Sequence, residues 1–415
     1  MISMKNLFKQ VKLKSKYLRA ILHRRRIDHV TFIGITGSAG KTTTKDLTAT
    51  ILGNFGPCQK THLSYNTLLS IRRTVRHTHE VHRYCVAELA AYGPGTLDES
   101  IRVLKPDIAV ITVIGRDHYS AFKSREAIAA EKGKVVMALS PHGTAVLNID
   151  DPLVRSIGEG CNRRIIWFGE DAGATLRLRE ARSPWPDPLT LFFEYQTKTY
   201  EVRTQLHGTH MAIPVLASLG IALAADLPLE KAIVAIAQVQ PTEGRMQAVT
   251  GDDGVVFIRD DMKAPQWSLN EPLVFLREAR ADRKVAIVGT ISDSSGDATK
   301  RYKRFCGQIR EFADLVVFVG PHAHRALRAR QNENDLAIQG FSSIRYAATY
   351  LQTELRKGDL VLLKGSNQAD HLVRLIINRS RPIQCWKDRC GVDVFCDMCP
   401  KLYEPSPDMP VSLSP

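Results

Sequence analysis

Hydrophobic positions along this chain follow two rhythms. From residue 30 to about 241, short apolar runs at 30–35, 83–90, 108–114 and 143–148 alternate with stretches of helical spacing such as 45–52 and 124–139. Strands buried on both faces read as unbroken apolar runs, so this alternation predicts a mostly parallel sheet wrapped by helices. Between 165 and 205 the pattern shifts to strand alternation, clearest at 189–202, and predicts a β-rich insertion. A helix is predicted over 211–225, with Pro214 near its start, where proline is tolerated. After Gly244 a second series of strand-like runs, at 254–258, 284–288, 314–319 and 359–363, predicts another doubly wound unit. The expected fold class is therefore α/β. It divides into a lead segment 1–29, a central domain 30–242, a Rossmann-like second domain 243–380 and a tail 381–415.

Composition changes this picture in three places. The 415 residues are enough for two real cores. No apolar run reaches the ~18 residues that span a bilayer. The lead also lacks the apolar stretch of a secretory signal, so a cytoplasmic location is expected. The net charge of +14 suits anionic ligands, and with no nucleic-acid motif beside it, no nucleic-acid partner is expected. Much of that charge sits in the lead, at Lys5, Lys9, Lys12, Lys14, Lys16, Arg19 and Arg24 to Arg26, with no acid before Asp28. Leu7, Val11, Leu18 and Leu22 recur there at roughly helical spacing. Two readings stand: a basic amphipathic helix peripheral to the inner membrane face, or a solvated lead-in helix.

Candidate chemistry begins where the first strand ends. Phe32-Ile33-Gly34-Ile35 runs into Thr36-Gly37-Ser38-Ala39-Gly40-Lys41-Thr42-Thr43-Thr44, and a helical stretch follows. This is a P-loop-type phosphate cradle. Gly37 and Gly40 let backbone N–H groups approach phosphate oxygens, and the helix N-terminus adds positive potential. Lys41 can reach the terminal phosphates and the Thr42 hydroxyl can ligate Mg2+. The strict pattern has a glycine where Ile35 stands, so the motif is a variant. Glu88 and Asp117-His118 follow two further apolar strands. In parallel sheets ligands gather beyond the carboxyl ends of strands, which makes Glu88 and His118 candidates to face the phosphates with a hard divalent cation.

At this point the chain resembles the Mur ligase family, nearest the branch that adds D-alanyl-D-alanine to the peptidoglycan precursor. The resemblance rests on Thr36 to Thr43, Glu88-Leu89 with Lys105-Pro106-Asp107, Asp117-His118, Ala130-Glu131-Lys132-Gly133, Val146 to Asp151, Gly244-Arg245-Met246-Gln247 and Leu363-Lys364-Gly365-Ser366, in family order. It implies a central ATPase domain and a second α/β domain. It also implies ATP- and Mg2+-dependent joining of a carboxylate to an amine through an acyl phosphate. Carried over by position, Lys41 holds the β/γ-phosphates, Thr42 and Glu88 bind one Mg2+, and His118 binds a second. Lys132 matches a lysine often carbamylated in the family, which would make it a metal ligand. Asn148 and Asp151 are implied to lie near the nucleotide, and Arg245, with Asp260 or Asp261, to contact it from the second domain. Lys263 falls in the same motif, either beside phosphate or as a surface lysine.

Departures from the family limit the substrate. Only about thirty residues precede the first strand, so the UDP-sugar-binding domain is expected to be absent. Pro214, Val113 and Thr290 replace two asparagines and an aspartate of the family pattern. The expected function is an amide or peptide ligase acting on a cell-envelope or amino-acid-polymer precursor rather than the standard UDP-muramoyl peptide. The alternative is a non-catalytic nucleotide-binding subunit that docks a partner synthase. Of eight cysteines, Cys385, Cys390, Cys396 and Cys399 cluster in the tail. In a reducing compartment they read as a candidate Zn2+ site, as unligated thiols or as an iron–sulfur ligand set. The remainder of the tail is Pro/Ser-rich and expected to be disordered.

Overall fold

The computed structural model describes residues 4–293, 296–388, 390–392 and 394–404, with side chains from residue 14 onward. The expectation for the end of the tail lies outside them, as do the side chains of Leu7 and Val11. Two compact units divide the chain. The first holds the chain up to Arg182 with Leu189–Gln205 and Thr209–Gln240, and the second holds Ser183–Pro188, Leu206–Gly208 and the chain from Pro241 on.

The first unit is built on a nine-stranded sheet. Its strands are β1 (Thr31–Thr36), β2 (Cys58–Lys60), β3 (Tyr84–Glu88), β4 (Ile108–Ile111), β5 (Thr144–Asn148), β6 (Arg164–Gly169), β7 (Leu176–Arg182), β8 (Thr190–Tyr195) and β9 (Lys198–Arg203). They lie in the order β2-β3-β1-β4-β5-β6-β7-β8-β9. Pairing is parallel from β2 through β7 and antiparallel from β7 to β9. The stretch expected as a β-rich insertion is therefore the edge of the same sheet. Its alternation reflects one covered face: Leu191 and Phe193 are buried while their neighbours are partly exposed. The chain goes from β1 to β2 and β3 on one side and then crosses to β4 on the other. That reversal opens a crevice at the carboxyl end of β1, where α/β proteins bind ligands.

Helices α1 (Met4–Arg26), α2 (Lys41–Gly53), α3 (Leu68–His77), α4 (Asp98–Leu104), α5 (Tyr119–Phe122), α6 (Arg125–Met137), α7 (Pro152–Glu159), α8 (Ala212–Ala224) and α9 (Leu229–Ile236) cover this sheet. Helix α8 is apolar nearly all round, as a helix sunk in a core must be. It lies against α2, β5 and β6. Gly220 permits that approach, because a Cβ there would stand 2.7 Å from Val146. The lead belongs to this unit. Ala20 is buried in the core, and Tyr17 and Ile21 pack against it. Arg24 lies over the Phe32 ring at 3.8 Å and donates to Leu104 O, Lys105 O and Asp107. It thereby satisfies carbonyls at the C-terminal end of α4. Among the described residues no helix is long and apolar enough to cross a membrane.

The second unit carries a six-stranded sheet. Its strands are β10 (Gln247–Thr250), β11 (Val256–Asp260), β12 (Arg283–Val288), β13 (Leu315–Val319), β14 (Ile338–Phe341) and β15 (Asp359–Lys364), in the order β10-β11-β15-β12-β13-β14. Only the β10–β11 pair is antiparallel. Helices α10 (Asn270–Glu278), α11 (Ala298–Arg310), α12 (Ile344–Glu354), α13 (Asn367–Asp370) and α14 (Arg374–Ser380) complete it.

Candidate active site

The phosphate loop takes the form its glycines require. Gly37 has φ +143°, and a Cβ there would lie 1.9 Å from Thr112 Oγ1. Gly40 is left-handed at φ +77° and caps α2 without a side chain, leaving the first-turn N–H groups facing the loop. Thr112, which sequence reasoning missed, braces the loop by donating to Ala39 O at 2.6 Å. Ser38 N donates to Val113 O at 2.7 Å, so the chain after β4 leaves the sheet to support the loop. This explains why the expected strand 108–114 stops at Ile111. Thr36 is buried and donates to Leu89 O, a scaffold role, and Thr43 is buried in the first turn of α2.

Around the loop stand most of the expected polar groups. Lys41 Nζ folds back onto Gly37 O at 2.7 Å. Thr42 Oγ1 donates to Glu88 Oε2 at 2.8 Å, and Asn66 Nδ2 donates to the other Glu88 oxygen at 2.8 Å. Asn66 also accepts from the Tyr92 hydroxyl, and the Tyr92 ring lies edge-on to His118 at 5.2 Å. His118 is left-handed at φ +50° and begins α5. Asn66 and Tyr92 sit on irregular segments, where no periodicity marks them.

Lys132 is fully buried on α6 and reaches Asp117 Oδ2 and Gly37 O, each at 3.1 Å. Ser38 donates to the other Asp117 oxygen. Burial lowers the Lys132 ammonium to about 8, Lys41 pushes the same way, and Asp117 opposes both. Burial pushes the Asp117 carboxyl up, but Lys132, Lys41 and the hydrogen bonds outweigh it, leaving it below the usual carboxylate range. Asp117 thus joins loop and lysine, a role sequence reading had not assigned.

Asn148 and Asp151, expected near the nucleotide, each make local hydrogen bonds. Asn148 Oδ1 accepts from Asp150 N at 3.0 Å. Asp151 caps α7 through Leu153 N and Val154 N, and its second oxygen accepts from Ile114 N at 2.7 Å.

In the second unit Arg245 follows Gly244, whose φ is +65°. Its Nε is buried with no hydrogen-bond partner among the described residues. Asp260 pairs with Lys364 Nζ at 2.5 Å. The carboxylate of Asp261 faces Arg259 at 3.4 Å, and its other oxygen is buried without a hydrogen-bond partner among the described residues. Burial pushes Asp261 up despite Arg259. Lys263 is exposed, and its carbonyl accepts from Lys364. Thr290 donates to Asp370 from both its backbone N–H and its hydroxyl. In the tail, Cys385, Cys390 and Cys396 gather near His371 and Arg374. Cys399 ends the turn after Cys396.

Residues 35–222 match the model of the Mur ligase middle domain, and residues 244–367 that of the Mur ligase, glutamate ligase domain. The UDP-N-acetylmuramoyl-tripeptide–D-alanyl-D-alanine ligase of Mycobacterium leprae is 28% identical over 369 residues, covering 81% of this chain and 71% of the relative. The enzyme of that name from Bacillus subtilis is 24% identical over 344 residues, covering 80% and 72%. Among solved structures, MurF from Acinetobacter baumannii superposes with a TM-score of 0.77 at 24% identity, covering 87% of this chain and 78% of that one. MurF ligase from Thermotoga maritima in complex with ADP gives 0.77 at 22%, covering 89% and 83%. These structures share the fold. With both domains matched in order along one chain, the protein belongs to the Mur ligase family, ATP-dependent ligases that form carbon–nitrogen bonds.

Proposed function

We propose that this chain activates a carboxylate with ATP and couples it to an amine, with the chemistry centred on Lys41, Thr42, Glu88, His118 and Lys132. One observation carries the reading: the Thr42 hydroxyl and Glu88 carboxylate meet at 2.8 Å at the start of α2, beside a lysine that curls over the phosphate loop. Those hard oxygens suit Mg2+, which would neutralise charge on the transferring phosphoryl group when bound. The N–H groups of the loop and first turn of α2 hold phosphate oxygens. Lys41 swings from the Gly37 carbonyl to the terminal phosphates. The substrate carboxylate attacks the γ-phosphorus, and the bond to the ADP oxygen breaks. The amine then attacks the acyl phosphate carbonyl and phosphate leaves, with the amine proton passing to solvent. Lys132 is either an ammonium that tethers Asp117 or, after addition of CO2 to its neutral amine with loss of a proton, an anionic carbamate that would serve as a ligand to Mg2+. In the second unit the orphaned Nε of Arg245 and the unpartnered oxygen of Asp261 suit a polar ligand such as nucleotide.

For the substrates, we read the carboxylate as a cell-envelope or amino-acid-polymer precursor and the amine as an amino acid or short peptide. The expectation of a departure from the UDP-muramoyl peptide finds no support in the relatives, which are named for the UDP-N-acetylmuramoyl-tripeptide and D-alanyl-D-alanine. That pair is therefore tested first. The assay is phosphate release from Mg-ATP with this pair and with pooled amino acids, dipeptides and acidic polymers, alongside mass spectrometry. Phosphate release tied to one pair and a condensed product supports the ligase. Nucleotide binding without turnover in every mixture overturns it in favour of a non-catalytic subunit of a larger synthase.

A further inference from the structure

Past residue 367, where the family match ends, the chain turns back onto its own second unit. As the side chains stand, no three His, Cys, Asp or Glu groups among the described residues are placed to hold an ion, so the Zn2+ site expected from the four tail cysteines is not formed. The described tail is held instead by a small apolar core of Val373, Ile383, Phe395, Cys396 and Leu402. Met262, the residue after Asp261, packs against that core. The backbone N–H groups of Gln384 and Cys385 both donate to Leu402 O, at 3.1 and 2.9 Å, and close the loop.

The tail meets β11 at Arg259, the residue before Asp260 and only 3% exposed. A buried guanidinium needs counter-charge and hydrogen-bond acceptors. Its Nη1 donates to Asp397 at 3.0 Å and faces Glu243 at 3.7 Å, and its Nε faces Asp261 Oδ1 at 3.4 Å. The Phe395 ring centroid lies 4.8 Å from the guanidinium carbon. Phe395 also rests on Gly244, where a Cβ would stand 2.5 Å from the ring and 3.1 Å from Asp261 Oδ1. One tail segment, 395–397, therefore touches both the backbone beside Arg245 and the side chain that faces Asp261.

Charge links these contacts to a ligand. Burial pushes the Asp261 carboxyl up and Arg259 opposes it, so the guanidinium favours the anion. An ionised carboxylate accepts hydrogen bonds at both oxygens, which suits the hydroxyl groups of a nucleotide. A planar guanidinium stacked by a ring on its face and paired at its edge is held in one orientation. We propose that Asp397 is a positioning residue for nucleotide: with Phe395 it fixes Arg259, and Arg259 presents the Asp261 carboxylate to the ligand. The inference rests on the proposed reading of Arg245 and Asp261 as nucleotide contacts, and it adds the tail to that site. Asp397 suits substitution because its side chain is 33% exposed, so its loss leaves no cavity in a core.

The test is calorimetric titration of the purified full chain with MgADP, which reads Kd and the number of sites per chain separately. Asp397→Asn should weaken binding about tenfold, the scale of one lost charged hydrogen bond, with the number of sites unchanged. Cys399→Ser, in the same tail, should bind as the native chain does. Arg259→Gln should also weaken binding, and adding Asp397→Asn to it should have no further effect, because Asp397 acts through that guanidinium. If Arg259→Gln does not fold, the Asp397→Asn and Cys399→Ser pair decides. Native affinity in Asp397→Asn overturns the proposal. So does a loss of sites at native Kd, which marks a folding role, an equal loss in Cys399→Ser, or additive losses in the double variant. A native chain that binds no MgADP removes the reading of the second-unit contacts itself, and this inference with it.

Discussion

At the scale of single residues, the site is governed by groups whose surroundings oppose their ordinary state. Lys132 is fully buried, and its ammonium is lowered to about 8 against 10.5 for a free lysine. Its protonation therefore opposes folding below about pH 8, and that opposition fades as pH rises toward 10.5. A neutral amine is also what reacts with CO2. With 13C-labelled bicarbonate, a carbamate signal should grow as pH rises through about 8 and be missing from Lys132→Arg. A signal unaffected by that substitution would remove Lys132 from the metal site. The hydrogen bonds of Lys41 go to two loop carbonyls, and its charge is unfavourable to Lys132 as well as favourable to Asp117, so Lys41→Ala should abolish ATP turnover and leave the melting temperature nearly unchanged. Gly37→Ala is the converse case. Its Cβ would collide with Thr112 at a φ of +143°, and a loss of roughly 2 kcal/mol or more in denaturant unfolding is expected. The glycines, Lys41, Thr42 and Glu88 were legible in sequence because they follow strands in a recognisable motif. Thr112, Asn66 and the bridging role of Asp117 were not, because each matters only through a neighbour distant in the chain.

At the scale of elements, α1 shows how burial reassigns a segment. Its charge marked it as a separate lead, yet Arg24 is 5% exposed and carries three hydrogen bonds and a ring contact into the first unit. Arg24→Ala leaves two carbonyls without their donor and Asp107 with only its bond from Phe32 N. Asp107 is half exposed, so the expected cost is about 2–3 kcal/mol, measured by chemical denaturation. The opposite side of α1 exposes Leu18 and Leu22, 57% and 52% exposed, beside Arg19, Arg25 and Arg26. Of the two expectations for the lead, a helix peripheral to a membrane and a solvated one, the first assigns this face to anionic lipid. In flotation assays, vesicles containing phosphatidylglycerol should capture the chain and pure phosphatidylcholine should not. Leu18→Ser with Leu22→Ser should reduce capture, and equal capture by both lipids would refute the reading. The strands were largely legible because buried parallel strands are continuous apolar runs. Their ends were less so: β4 stops short of the apolar run because Thr112 and Val113 brace the phosphate loop.

At the scale of the whole molecule, each unit has its own core, and the candidate phosphate loop lies at the carboxyl edge of the first sheet. Nucleotide should raise the melting temperature of the native chain by mass action and leave that of Lys41→Ala unchanged. What the sequence by itself determined was local. Apolar periodicity set the strands and helices, glycine placement set the phosphate loop, and the order of motifs marked the family. These signals lie within contiguous stretches, where backbone geometry and chemistry act over a few residues. Only the tertiary structure decided which side chains share a carboxylate. It put Lys132 on Asp117, tied Asp151 to a helix cap and a loop, and gave Asp260 to Lys364. It also brought His371 and Arg374 to thiols that spacing alone had grouped as four cysteines. The physical reason is that hydrogen bonds and charge compensation depend on distance in space, and residues far apart in the chain become neighbours only once the sheets are assembled.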